Sequence, residues 1–146
     1  IGIHDYDANT EHMRQRYGNE IAPEQLFDRR RPGGRVLTLD GYPHRGQPIM
    51  LTEFGGIAFQ AKPEPGVKKI WGYTRAESAE EFAELYEKLL DTVIHTALFS
   101  GFCYTQFADT YQEANGLLNA DRSPKMPLER IRAATSKSRT WIPGAM

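Results

Sequence analysis

The sequence predicts an α/β fold in which parallel strands are joined by crossover helices. Two observations predict it. Segments of strand and helix character alternate in the order strand, helix, strand, helix, strand, helix, which is the pattern of βαβ units. Each strand candidate also ends in polar groups, and parallel α/β folds hold their ligands outside the carboxyl ends of the strands. A length of 146 residues suits one domain.

The elements follow in order. Residues 1–6 alternate Ile1, Ile3 and Asp5 against Gly2, His4 and Tyr6, a period of two that makes one short strand. In DANTEHMRQRYG, Asn9 or Thr10 can cap a helix carrying Met13 and Tyr17, with Gly18 as its stop. Residues 19–47 read as irregular, rich in Pro and Gly, with a helical turn over 23–29. Pro48 opens a second strand, Ile49 to Glu53, and a long loop is expected over 57–74, including Pro63 and Pro65. The clearest helix covers 78–100. Phe82, Leu85, Tyr86, Leu89, Val93 and Ile94 form one apolar stripe, Ser78 and Glu81 have capping-box spacing, and Gly101 is the expected stop. FCYTQFA is the third strand, a polar loop covers 108–127, and PLERIRAATSKS closes as a helix with Pro127 in its first turn.

Composition excludes more than it assigns. There are 18 basic and 19 acidic residues and a net charge of −1, so charge gives no sign of a nucleic-acid or membrane-surface partner. Arg29, Arg30, Arg31 and Arg35 are a local exception; beside Pro32, Gly33 and Gly34 they read as a solvated loop, with an anion site as the alternative. No apolar run approaches the ~18 residues of a membrane span. Cys103 is the single cysteine, which rules out an internal disulfide and a cysteine zinc site and fits a reducing compartment. The four histidines show no metal-ligand spacing, and no metal or cofactor is expected. The chain begins without Met on a strand already under way, so it is expected to be a piece of something longer.

The strand tips carry the candidate site: His4, Asp5 and Tyr6 on the first, Glu53 on the second, Thr105, Gln106 and Asp109 on the third. Each has a plainer reading. Glu53 can be a salt-bridged carboxylate, His4 a hydrogen-bonded core histidine, and Tyr6 a packing residue. Gly55 and Gly56 can simply supply a turn with positive φ, and Cys103 a small buried hydrophobe.

At PIMLTEFGG, residues 48–56, the sequence resembles the nucleophile strand of glycoside hydrolase family 2, the β-galactosidase and β-glucuronidase family. IGIHDYD is similar to that family's sixth barrel strand, WGY at 71–73 to the loop after its seventh, and residues 101–125 to its eighth strand and following loop, including QE.NGL and DR.PK. The resemblance spans nearly the whole chain. It implies the C-terminal portion of a TIM (β/α)8 barrel, about strands six to eight over residues 1–146, and a retaining β-glycosidase as the parent.

Glu53 would then be the nucleophile, forming a covalent glycosyl-enzyme. Tyr6 matches the tyrosine that hydrogen-bonds it, a bond that favours the charged carboxylate and fixes its aim. His4, Asp5, Trp71, Thr105 and Gln106 would contact the sugar; Trp71 serves equally well as a packing residue. Where β-glucuronidases carry a tryptophan on strand eight, this chain has Thr105 or Gln106, so the sugar is not named.

The family's acid/base is the Glu of an Asn-Glu pair ending strand four. The chain's one Asn-Glu, Asn19-Glu20, follows a helix and lies downstream of the sixth strand, so it does not match. The expected partners are a carbohydrate substrate, the N-terminal half of the barrel and the parent's accessory β domains. Alone, the chain is expected to be inactive and, with open strand edges, to associate. Two other readings stand beside this one: a carbohydrate-binding or interaction module on the same barrel surface, and a small α/β domain whose Glu53 is merely salt-bridged.

Overall fold

The computed structural model describes residues 1–60, 66–67 and 69–138. Three strands, β1 (Gly2–Asp5), β2 (Met50–Gly55) and β5 (Gly101–Thr105), form a parallel sheet in the order β1-β2-β5. A second parallel pair joins β3 (Ile57–Ala58) to β4 (Thr74–Arg75). The helices are α1 (Thr10–Tyr17), α2 (Pro23–Asp28), α3 (Ala79–Ile94) and α4 (Leu128–Thr135), with a short 3-10 turn at Pro32–Gly34. The chain is therefore a mixed α/β protein built on a parallel sheet, as the alternation predicts.

Local chemistry accounts for the helix starts. The Asn9 side chain accepts from the Glu11 and His12 amides and caps α1. Ser78 does the same for α3 through the Glu81 amide. The capping box is only half formed, because the Glu81 carboxylate reaches back to the Glu77 amide at 2.7 Å rather than to Ser78. Helix α3 buries Phe82, Ala83, Tyr86, Leu89, Leu90, Val93 and Ile94 against α1, α4 and β3. Fully burying one such large side chain contributes roughly 1.5–3 kcal/mol.

Helix α3 ends at Ile94, six residues short of the expected limit. His95 leaves helical geometry, and Phe99 turns inward to meet Tyr17 at 5.2 Å between ring centroids. The Ser100 amide then donates to Ile49 at 2.7 Å, so sheet pairing claims this segment. Gly101 consequently opens β5 instead of stopping a helix. The expected loop after Gly56 also closes on itself, since its two ends pair as β3 and β4. Pro63 and Pro65 of that loop lie outside the described residues.

Cys103 is exposed rather than buried. Phe102 and Tyr104 both pack edge-on against Phe54, at 5.8 and 5.5 Å, and alternation along β5 turns the residue between them to the opposite face.

Candidate functional site

Glu53 stands near the C-terminal end of the central strand, with β1 on one side and β5 on the other. The β1–β2 register shifts between Ile3 and His4, and this irregularity sets His4 directly opposite Glu53. The Glu53 side chain is 43% exposed, open to a ligand. The Tyr6 hydroxyl donates to its Oε2 at 2.7 Å, and His4 Nδ1 lies 3.3 Å from the same oxygen. Burial, and then the bond to Glu53, push the Tyr6 phenol up to about 12; the Thr105 hydroxyl acts against this shift.

Aromatic rings hold Tyr6 from behind. Tyr73 stacks on it with centroids 3.9 Å apart and planes 13° from parallel. Trp71 meets Tyr73 edge-on at 5.0 Å. Gly56 makes this stack possible. Its φ is +61°, and a Cβ there would sit 2.6 Å from the Tyr73 ring and 2.9 Å from Tyr6. Gly55, with φ of +98°, leaves room for the Tyr104 ring where a Cβ would overlap it. The paired glycines thus supply both the turn and two close approaches. The Gly56 amide donates to Thr105 at 2.9 Å and its carbonyl accepts from Tyr73 at 2.9 Å, tying the β2 terminus to β5 and to the aromatic loop.

The structure brings His4, Tyr6 and Thr105 together around Glu53. Trp71 joins through Tyr73 and is 47% exposed. Its loop is braced by backbone bonds, Trp71 N to Gln112 at 2.6 Å and Ala114 N to Trp71 at 3.1 Å. Gln106 is engaged with the loop after β5, through Asn115, Leu117 and Glu113, and its preceding peptide bond is cis.

Asp5 is already committed. Arg16 Nε lies 2.8 Å from its carboxylate and Tyr17 donates at 2.7 Å. Arg16 also bonds Asp7, which in turn meets His12 at 2.9 Å. Asp109, one of the polar groups after the third strand, is buried with Lys125 at 2.7 Å, and the Gly116 amide donates to it at 2.8 Å. Burial pushes the Asp109 carboxyl up and the Lys125 ammonium down, each partly restored by the other. This pair pins the loop after β5. Asn19, of the Asn-Glu pair, bonds His95 O and the Ala97 amide and so links the end of α1 to the end of α3.

Tyr73 is the site residue that reading the sequence missed, although WGY contained it; only the spacing to Gly56 in three dimensions shows its contact with Tyr6. A cavity of about 550 Å³ lies between α1 and α3 around Arg14, Asn19, Asp91 and His95, and shares no lining residue with the Glu53 site. Among the described residues no group of three His, Cys, Asp or Glu is placed to hold a metal ion.

No family model matches the chain, and no curated protein matches it. Among solved structures, similar regions occur in glycoside hydrolases. The β-glucuronidase of Bifidobacterium dentium, solved with coumarin-3-O-glucuronide, is 23% identical over 64% of this chain and 16% of its own, with a TM-score of 0.45. The agarase AgWH50C is 21% identical over 60% of this chain and 14% of its own, with a TM-score of 0.46. The Faecalibacterium prausnitzii β-glucuronidase is 23% identical over 65% and 17%, with a TM-score of 0.44. The chain thus spans only 14% to 17% of the length of these proteins. Likeness at this level leaves the chemistry to be read from the side chains.

Proposed function

We propose that this chain is the C-terminal portion of the catalytic barrel of a retaining β-glycosidase of the family 2 kind, and that Glu53 is its nucleophile. The observation that carries this reading is the Tyr6 hydroxyl on Glu53 at 2.7 Å, at the carboxyl end of the central parallel strand. A nucleophilic carboxylate must be ionised and held in one aim while it attacks the anomeric carbon. A tyrosine hydroxyl fixed by ring stacking supplies that aim without blocking access, since Glu53 stays partly exposed. His4 and Thr105 adjoin the same carboxylate or its partner, positions suited to sugar hydroxyls.

A retaining glycosidase needs a second carboxylate about 5–5.5 Å from the nucleophile. Asn19-Glu20 does not supply it in this reading, because Glu20 lines the cavity between α1 and α3, which shares no residue with the Glu53 site. The acid/base would come from barrel strands upstream, and the isolated chain would not turn over substrate. The exposed faces of Trp71 and Tyr73 beside Glu53 favour, as the second reading, a carbohydrate-binding module without chemistry.

The deciding experiment is trapping with 2-deoxy-2-fluoro glycosides on a protein carrying this chain together with the upstream strands. These reagents form the glycosyl-enzyme but slow its hydrolysis. A label mapped to Glu53 is expected. No adduct across galactosyl, glucosyl, mannosyl and glucuronyl reagents would move the assignment to the binding module.

A further inference from the structure

A cavity of about 340 Å³ adjoins the Glu53 site, with His4 and Tyr6 on its wall and Arg29, Arg30 and Arg31 around it. The arginine run therefore does not simply extend into solvent. A tight turn orders it: Arg31 N donates to Arg35 O at 2.7 Å, Gly34 N to Arg31 O at 2.9 Å, and Arg30 Nη1 to Gly34 O at 3.0 Å. Arg31 Nη2 reaches Tyr17 Oη at 3.4 Å, and Tyr17 in turn donates to Asp5.

The charge in this cavity is unbalanced. Among the described residues Asp5 is the one carboxylate on its wall, and Arg16 already occupies it. Among the described residues no carboxylate forms an ion pair with Arg29, Arg30 or Arg31. The Arg29 guanidinium makes no hydrogen bond among the described residues, and that of Arg30 spends a single donor on a carbonyl. Three arginines line this one cavity, and the planar fork of a guanidinium matches the oxyanions of a carboxylate or a sulfate ester.

We infer that this cavity is a subsite for a carboxylate or sulfate ester carried by the sugar unit next to the one at Glu53, so that the chain selects acidic glycans over neutral ones. The inference rests on the proposed function in placing a sugar at Glu53. A glycan is favoured over an acidic peptide because the cavity and Glu53 share His4 and Tyr6, so one ligand can fill both.

The test is titration of a protein carrying this chain together with the upstream strands, using three tetrasaccharides of one backbone, neutral, uronate-bearing and sulfated, and an oligoglutamate peptide as control. One or both acidic sugars should bind at least about tenfold more tightly than the neutral one, the tightening given by one charge-assisted hydrogen bond. Their relative affinities identify which oxyanion the subsite takes, and added salt should weaken the preference. In the double variant Arg29→Gln/Arg30→Gln, both positions being exposed, the preference should vanish. Arg29→Lys/Arg30→Lys should keep most of it.

Equal binding of neutral and acidic sugars, no binding of any, equal binding of oligoglutamate, or an unchanged double variant would each overturn the subsite. The nucleophile assignment is decided separately by trapping at Glu53. Loss of one result leaves the other readable.

Discussion

The Tyr6 hydroxyl and the Glu53 carboxylate meet at 2.7 Å across 47 residues of sequence, on neighbouring parallel strands. A bulge in β2 at Thr52 and the glycine pair at the end of that strand both serve this contact. The first aligns His4 with Glu53, and the second admits the ring that stacks on Tyr6.

Removing the donor should cost chemistry more than binding. A hydrogen bond to a charged group contributes roughly 1.5–3 kcal/mol, which corresponds to about 10- to 150-fold in rate if the bond matters most in the transition state. If the proposed function holds, Tyr6→Phe in a protein carrying this chain together with the upstream strands should lower kcat by about that factor with KM nearly unchanged. Steady-state hydrolysis of an aryl β-glycoside measures it, and an unchanged kcat would remove Tyr6 from the site.

Burial of Tyr6, together with the same bond, predicts a pH signature. The Tyr6 phenol is raised from 10.0 to about 12, so the folded chain holds its proton where the unfolded chain releases it. The associated stability is complete below pH 10 and is lost as pH rises through 12. Carbon-13 resonances of labelled tyrosine should show Tyr6 titrating near 12. In Glu53→Gln the value should fall toward 10. A Tyr6 titration indifferent to that substitution would contradict the bond.

Gly56→Ala should disturb both the backbone and the stack. Alanine is strained at φ of +61°, at a cost of about 1–2 kcal/mol, and its methyl would meet the Tyr6 and Tyr73 rings. Chemical denaturation should show a loss of at least that size. Tyr73→Phe, which keeps the stack, should be close to neutral, while Tyr73→Ala should cost about 0.5–1.5 kcal/mol beyond the lost burial.

The buried Asp109–Lys125 pair supports the loop after β5 and should respond asymmetrically. Lys125→Met leaves Asp109 buried without its cation and should cost about 3–5 kcal/mol. The double variant Asp109→Asn/Lys125→Met should recover a large part of that loss in the same denaturation experiment. Additive losses would show that the two groups are not coupled.

The sheet edges predict self-association. Among the described residues β1 and β5 each pair with β2 alone, leaving their outer edges without a strand. Sedimentation of the isolated chain should show mass rising with concentration. A concentration-independent monomer with one sharp unfolding transition would weigh against a partial barrel.

Local pattern determined much of this protein. The period of two at Ile3 and the apolar run at Met50–Leu51 marked β1 and β2, and the 3.6-residue stripe from Phe82 to Ile94 marked α3, because burial on one face imposes those spacings. The position of Glu53 at a strand end was legible for the same reason, as were the helix caps at Asn9 and Ser78.

Where distant segments compete or meet, only the tertiary structure decided. The residues from His95 to Ser100 extend a helical pattern locally, yet the Phe99–Tyr17 contact and the Ser100–Ile49 bond outweigh it. Asp5 and Asp109 carry the same chemistry as Glu53. What separates them is whether a cation, Arg16 or Lys125, has folded onto the carboxylate. The placement of Tyr73 on Tyr6, and of three arginines around one cavity beside His4, depends in the same way on side chains meeting across the fold, and no spacing along the chain encodes a distance between residues that far apart.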